Sequence, residues 1–293
     1  MADSVCPSEG MEIVPSGAAL GAEVHGLDLS QPLDEATLDA LGQAWDAHLV
    51  LLFRGQALDD AGLIRFSRYF GRLEPPAVNP YGTTFLPEFP EINVISNVKD
   101  DTGRPIGNLG DGEAVWHADM TYRETPPKAA VLNALAVPEG QGDTSFANMI
   151  AAYRELPDEL RRQIDGKRAI HDESHNSAGM RRKGYGEITD PRQTPGARHP
   201  LVRVDTAGGR RALFLGRRPH AYVPGLELAE SEALLDALWA HATQDRFTWR
   251  HRWRAGDVLM WQNLWVLHRR DAFEPDARRI LHRTQIAGEA ATG

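Results

Sequence analysis

The sequence predicts a mainly β fold with flanking helices (α+β), and three observations predict it. Apolar residues alternate with period two through Phe247, Trp249, His251 and Trp253 and again through residues 280–286. Residues 49–53 form a continuous apolar run of the length of a buried strand. Helical spacing is confined to a few segments between such stretches.

In chain order, residues 1–10 read as a loose N-terminus. Asp34, after Pro32, opens a helix with Leu38, Leu41 and Trp45 on one stripe. Asp59-Asp60 opens a second, in which Leu63, Phe66 and Phe70 share a face until Gly71 ends it. Pro157 interrupts residues 149–164 and predicts two short helices there. Residues 228–242 carry the longest helical pattern, with Leu234, Leu235 and Leu238 facing inward. A turn at Ala255-Gly256-Asp257 predicts that 258–261 runs back beside 247–253.

All-β chains of 293 residues are commonly single domains, and 1–293 is expected to be one. A hydrophobic fraction of 42% supports a sizeable core. A net charge of -9 offers no general attraction for phosphate backbones or anionic membranes, which argues against a nucleic-acid partner. No stretch has the pattern of a signal peptide or the length of a membrane span, so no membrane association is expected. With one cysteine, Cys6, no disulfide can form within the chain, and a cytoplasmic location is expected.

The chemistry concentrates in two places. Val115-Trp116-His117-Ala118-Asp119 sets an imidazole and a carboxylate two residues apart, which on a strand puts both on one face. Far downstream, His268 is followed by Arg279 and Arg283, which share a face with Leu281 if 280–286 is a strand. Two imidazoles and one carboxylate on one side of an ion leave other positions open, as in non-haem Fe(II) oxygenases. Two arginines beside a metal are costly to desolvate unless an anion meets them, and a guanidinium suits two-point recognition of a carboxylate.

With these motifs the chain resembles the TauD/TfdA family of Fe(II)- and 2-oxoglutarate-dependent dioxygenases. The likeness runs through residues 20–29, 50–56, Trp116 to Asp119, Gly142-Asp143-Thr144-Ser145-Phe146, 253–257, Trp261-Gln262-Asn263 and the stretch from His268 to Arg283. It implies a double-stranded β-helix, a distorted cupin-like jelly roll, wrapped by helices on one side with the metal near its open mouth. It implies catalytic iron on His117, Asp119 and His268, with 2-oxoglutarate bound by Thr144 and Arg279, and Arg283 facing the reactive end of the cosubstrate or the acidic group of the substrate. O2 would be the oxidant, succinate and CO2 the coproducts. Asp119 favours hydroxylation over halogenation, since the related halogenating enzymes lack that carboxylate. A homo-oligomer, dimer or tetramer, is expected on the same ground.

The substrate implied is a small, anionic organic molecule such as a sulfonate, sulfate ester, aryloxyalkanoate or amino-acid-like acid. The chain departs from the taurine pattern. Glu113 stands where those enzymes carry an amide, and Asn79 replaces their sulfonate-binding histidine, which points away from taurine. Glu113 in the pocket would favour an ammonium or guanidinium on the substrate. Residues 172–200 are polar and aperiodic, a length of irregular chain that predicts a lid over the metal. The alternatives are a non-oxidative cupin-like metalloenzyme and a catalytically inactive metal-binding scaffold, neither of which gives Arg279 and Arg283 a role.

Other motifs read as ordinary structure. His171-Asp172-Glu173-Ser174-His175 lacks the glutamate directly after the first histidine that a zinc-protease box needs. The glycine-rich run 107–112 reads as the loop leading into the metal-bearing strand. Arg181-Arg182-Lys183 and Arg217-Arg218 read most simply as solvated charge, and Trp249, Trp253, Trp261 and Trp265 as core.

Overall fold

The computed structural model describes residues 10–77, 84–205 and 208–288. Most of the expected loose N-terminus, and Asn79, lie outside the described residues. Two β-sheets make the body of the fold. The larger runs in the order Glu12–Pro15, Ala22–His25, Val50–Phe53, Val258–Gln262, Ala129–Ala136, Ile280–Ile286, Asn93–Ser96, Asn108–Leu109, with Leu73–Glu74 also on Ile280–Ile286. The smaller has the order Thr248–His251, Thr144–Asn148, Val266–Arg270, Ala114–His117, all antiparallel. The sheets face one another, with the ring of Phe146 on one 5.7 Å from that of Trp261 on the other.

Side-chain alternation distributes the large sheet between two cores. Val50, Leu52, Ala130, Leu132, Leu259 and Trp261 pack inward with Phe146. Leu51, Phe53, Val131, Val258 and Met260 pack outward with Leu41, Trp45, Leu63 and Phe66. These last four belong to the helices Glu35–His48 and Asp60–Arg68. Burial on both faces explains why these strands read as apolar runs rather than alternating ones. Both helices begin where expected, because the Asp34 and Asp59 side chains accept the N–H groups of Thr37 and Gly62 at 2.7 Å.

The expectation of helices on one side is corrected by a second helical group. Met149–Arg154, Asp158–Ile164 and Leu228–Ala242 bury Ala152, Ile164, Leu235 and Leu238 in the inner core instead, with Leu213 of strand Arg211–Leu213. Pro157 separates the first two, as predicted. The expected hairpin between 247–253 and 258–261 is also corrected. Thr248–His251 pairs with Thr144–Asn148 in the small sheet, whereas Val258–Gln262 lies between Val50–Phe53 and Ala129–Ala136 in the large one. The chain crosses between sheets at Asp257, whose fully buried carboxylate accepts Arg54 Nη1 at 2.7 Å and the Arg254 N–H at 2.8 Å.

Burial holds His171, His199 and His251 below the ordinary imidazole value of 6.5, His199 adding to the effect at His171. A ring with a depressed folded pKa binds fewer protons folded than unfolded. Its stabilisation is therefore present above pH 6.5 and is lost as pH falls toward the folded value, by about 1.4 kcal/mol per ring per pH unit. The melting temperature is expected to drop between about pH 7.5 and 5.5. An unchanged melting temperature over that interval contradicts this account.

Candidate active site

Strand register assembles the site. On the small sheet His268 pairs across to His117 on one side and to Phe146 on the other, which aligns all three toward the inner face. Two residues on, Arg270 pairs with Thr144 and faces the same way. From the large sheet, Arg283 projects inward, while His282 and Thr284 turn outward to Asp60 and Ser67 of helix Asp60–Arg68 at 2.5 and 2.6 Å. Arg279 lies just before that strand.

The structure brings His117, Asp119 and His268 together, all buried, their ligating atoms within 4.8 Å of one another. Asp119 Oδ1 is 3.5 Å from His117 Nε2 and 3.9 Å from His268 Nε2. His117 and Asp119 do not share a strand, contrary to the sequence reading, because the strand ends at His117. Asp119 sits on the following turn, where Met120 has φ +52°. The turn is held by Asn263, which accepts the Asp119 N–H at 2.7 Å and donates to the carbonyls of Asp119 and Pro127 at 2.9 and 2.8 Å. Ala118 N–H donates to Gly216 O at 3.1 Å. Gly216 has φ +70°, and a Cβ there would lie 2.2 Å from His171 Nδ1, so this support admits only glycine.

The donor chemistry fits a divalent metal such as iron. His117 Nδ1 donates to Val115 O at 2.7 Å, which leaves Nε2 with its lone pair facing Asp119. Burial, reinforced by His117, holds His268 well below the ordinary imidazole range, so it is neutral and able to ligate. Burial alone would raise the Asp119 carboxyl, but the Arg283 guanidinium beside it outweighs burial and holds the group well below the usual carboxylate range. Arg283 Nη1 donates to both Asp119 oxygens at 3.0 and 2.9 Å.

A cavity beside these donors is lined by Ile95, Leu132, Thr144, Trp261, Arg270 and Arg279 together with His117, His268 and Arg283. Arg279 is 3% exposed and donates weakly to Gly142 O at 3.4 Å. No carboxylate pairs with it among the described residues. Asp143, next to Gly142 in the chain, is engaged by Arg250 at 2.8 Å. Burial and the neighbouring Arg270 push the Arg279 guanidinium down to about 9. Thr144 Oγ1 accepts Trp253 Nε1 at 2.9 Å on the same wall.

Sequence reasoning missed Arg270, which is buried and donates to the carbonyls of Leu109, Gly110 and Gly112, tying down the glycine-rich loop that leads to His117. Its period-two offset from His268 was the available signal. Glu113 is a correction: its side chain is 53% exposed, 3.6 Å from Arg269, and lines neither cavity, because it precedes the strand that enters the site. Asn79 lies outside the described residues. Arg217 is likewise not solvated; it is buried and paired with Asp172. Asp172, His175 and His220 also bring ligating atoms within 4.8 Å, but there Asp172 is taken up by Arg217 and Ser174. Trp253, Trp261 and Trp265 are buried, as expected of core.

What this fold and this mouth define is a class, the 2-oxoglutarate-dependent non-haem iron dioxygenases. A family model described as "Taurine catabolism dioxygenase TauD, TfdA family" matches residues 12–285, and the chain belongs to that family. It is 33% identical over 273 residues to the alpha-ketoglutarate-dependent 2,4-dichlorophenoxyacetate dioxygenase of Burkholderia sp. (strain RASC), covering 91% of each chain. It is 35% identical over 299 residues to the (S)-phenoxypropionate/alpha-ketoglutarate-dioxygenase of Delftia acidovorans, covering 96% of this chain and 97% of that one. A taurine dioxygenase structure from Burkholderia xenovorans superposes with TM-score 0.77 at 31% identity, covering 97% and 93%. Among the described residues no helix is long and apolar enough to cross a membrane.

Proposed function

We propose that the protein hydroxylates a small organic acid, with Fe(II) held by His117, Asp119 and His268 and the distal carboxylate of 2-oxoglutarate held by Arg279 and Thr144. The observation that carries this reading is Arg279: a buried guanidinium without an ion-pair partner among the described residues, in the same cavity as the donor cluster. A charge so placed is costly unless an anion joins it. Iron bound to the three donors supplies, with O2 and 2-oxoglutarate, an oxidative decarboxylation to succinate and CO2 coupled to C–H hydroxylation.

The chain's own residues do the rest. Arg279 neutralises and aligns the diacid, since a guanidinium matches a carboxylate at two points. Arg283 balances Asp119 and, lining both the cavity and the neighbouring cleft, would meet the reactive end of the cosubstrate or the acidic group of the substrate. Ile95, Leu132 and Trp261 keep water from the cavity wall. Residues 172–200 cover the neighbouring cleft through Asp172, His175, Asn176, Ser177 and Arg182, with Ser177 O accepting the Val115 N–H at 3.0 Å. Deleting Asn176 to Gly184 is expected to raise 2-oxoglutarate consumption per product formed; unchanged coupling would remove the lid.

The named substrates of the two relatives, 2,4-dichlorophenoxyacetate and phenoxypropionate, make aryloxyalkanoates the first class to test. The experiment is a succinate-release screen against aryloxyalkanoates, sulfate esters, sulfonates and amino acids, with Fe(II) supplied. Substrate-dependent succinate with a hydroxylated product is expected from an acid in that set. Release that is independent of Fe(II) would contradict the proposal.

A further inference from the structure

Arg279 is delivered by an irregular segment, residues 271–279, that joins the strands Val266–Arg270 and Ile280–Ile286. The strand pairing that could fix it stops one residue short, at Ile280 with Ser96. On the other side of the same strand Ile280 pairs with Ala136 and Leu281 with Ala134, so a bulge at Leu135 interrupts the ladder where the strand begins. Backbone pairing alone therefore leaves Arg279 unanchored.

One side chain takes over at that point. Asn97, the residue after Ser96, accepts the Arg279 N–H on Oδ1 at 3.1 Å and donates from Nδ2 to Ala277 O at 2.7 Å and Pro275 O at 3.0 Å. A carboxamide carries an acceptor and two donor hydrogens, so a single group grips three backbone groups of the segment. The guanidinium itself has one long hydrogen bond among the described residues, to Gly142 O at 3.4 Å, and otherwise packs against the rings of Phe273 and Trp253. Where that charge stands is decided at its backbone.

Resting on the function proposed above, we infer that Asn97 is a positioning residue for the cosubstrate: by clamping residues 275–279 it places the Arg279 guanidinium for the distal carboxylate of 2-oxoglutarate. Asn97 lines neither the cavity nor the neighbouring cleft, so it acts through Arg279. Two-point pairing of a guanidinium with a carboxylate is geometrically demanding, which makes the support behind the arginine part of the affinity.

The test is a double-mutant cycle on 2-oxoglutarate affinity, measured calorimetrically on the full chain loaded with Mn(II), in wild type, Asn97→Ala, Arg279→Met and the double variant. Asn97→Ala is expected to weaken 2-oxoglutarate about tenfold and to leave Mn(II) affinity unchanged. In the Arg279→Met background the same substitution is expected to change 2-oxoglutarate affinity by less than about twofold, because the group it positions is gone. A role confined to the fold would carry the same factor into both backgrounds. Asn97→Asp, which keeps the shape and loses both donated hydrogen bonds, is expected to give the same non-additive pattern. Unaltered 2-oxoglutarate affinity in Asn97→Ala, an equal loss in both backgrounds, or a parallel fall in Mn(II) affinity would overturn the assignment. So would unfolding of both Asn97 variants, which would make the amide a requirement of the fold. Failure of wild type to bind 2-oxoglutarate, or wild-type affinity in Arg279→Met, would instead overturn the underlying function and this assignment with it.

Discussion

Asp119→Ala is expected to reduce Fe(II)-dependent succinate release to the level of a protein-free blank while destabilising the metal-free protein. Both effects follow from one carboxylate. It is the negatively charged donor of the three, and it is what keeps Arg283 paired at 7% exposure. Removing one partner of a buried pair leaves an uncompensated charge and costs about 3–5 kcal/mol. Asp119→Asn keeps the shape and an oxygen acceptor and is expected to retain more of the stability while still losing turnover. Urea unfolding of the metal-free variants, read beside succinate release, separates the two roles. An Asp119→Ala protein of wild-type stability would show that the pairing with Arg283 contributes nothing.

Arg279→Met is expected to do the opposite to stability and nearly the same to function. Methionine keeps much of the packing against Trp253 and Phe273, whose rings lie 6.0 and 5.7 Å from the guanidinium. It also removes a buried cation that has no ion-pair partner among the described residues, so the variant is expected to be as stable as wild type or more so. Without that charge the affinity for 2-oxoglutarate is expected to fall at least about 30-fold, the consequence of about 2 kcal/mol for truncating a desolvated charge pair. Arg270→Met is the informative contrast. Its guanidinium is already used on three backbone carbonyls, so its removal is expected to cost stability first. Equal affinity for 2-oxoglutarate in wild type and Arg279→Met would contradict the assigned role.

The contrast between these arginines also marks what the sequence made legible. His117, His268 and Arg283 could be found because strand alternation aims them, and alternation is local; Arg279 lies just before its strand. Asp119 was found for a reason that proved incomplete. The strand stops at His117, and the carboxylate reaches the site through a turn fixed by Asn263 and by Gly216, residues 144 and 97 positions away in the chain. No local pattern encodes contacts at that separation. Arg270 was within reach of the same period-two argument, but a charged residue two places after a ligand reads first as solvent-facing. The helices were legible from Asp34, Asp59 and Pro157, which act on their own neighbours. Which core each helix enters was not, since that depends on which face of the large sheet it meets.

The central claim is that three donors and one buried cation together hold iron and 2-oxoglutarate, and anaerobic addition of both to the metal-free protein tests it most directly. A visible charge-transfer band is expected, saturating at one 2-oxoglutarate per chain. It should be absent in Asp119→Ala and displaced to higher 2-oxoglutarate concentration in Arg279→Met. No band in wild type, or the same titration in wild type and both variants, would contradict the account.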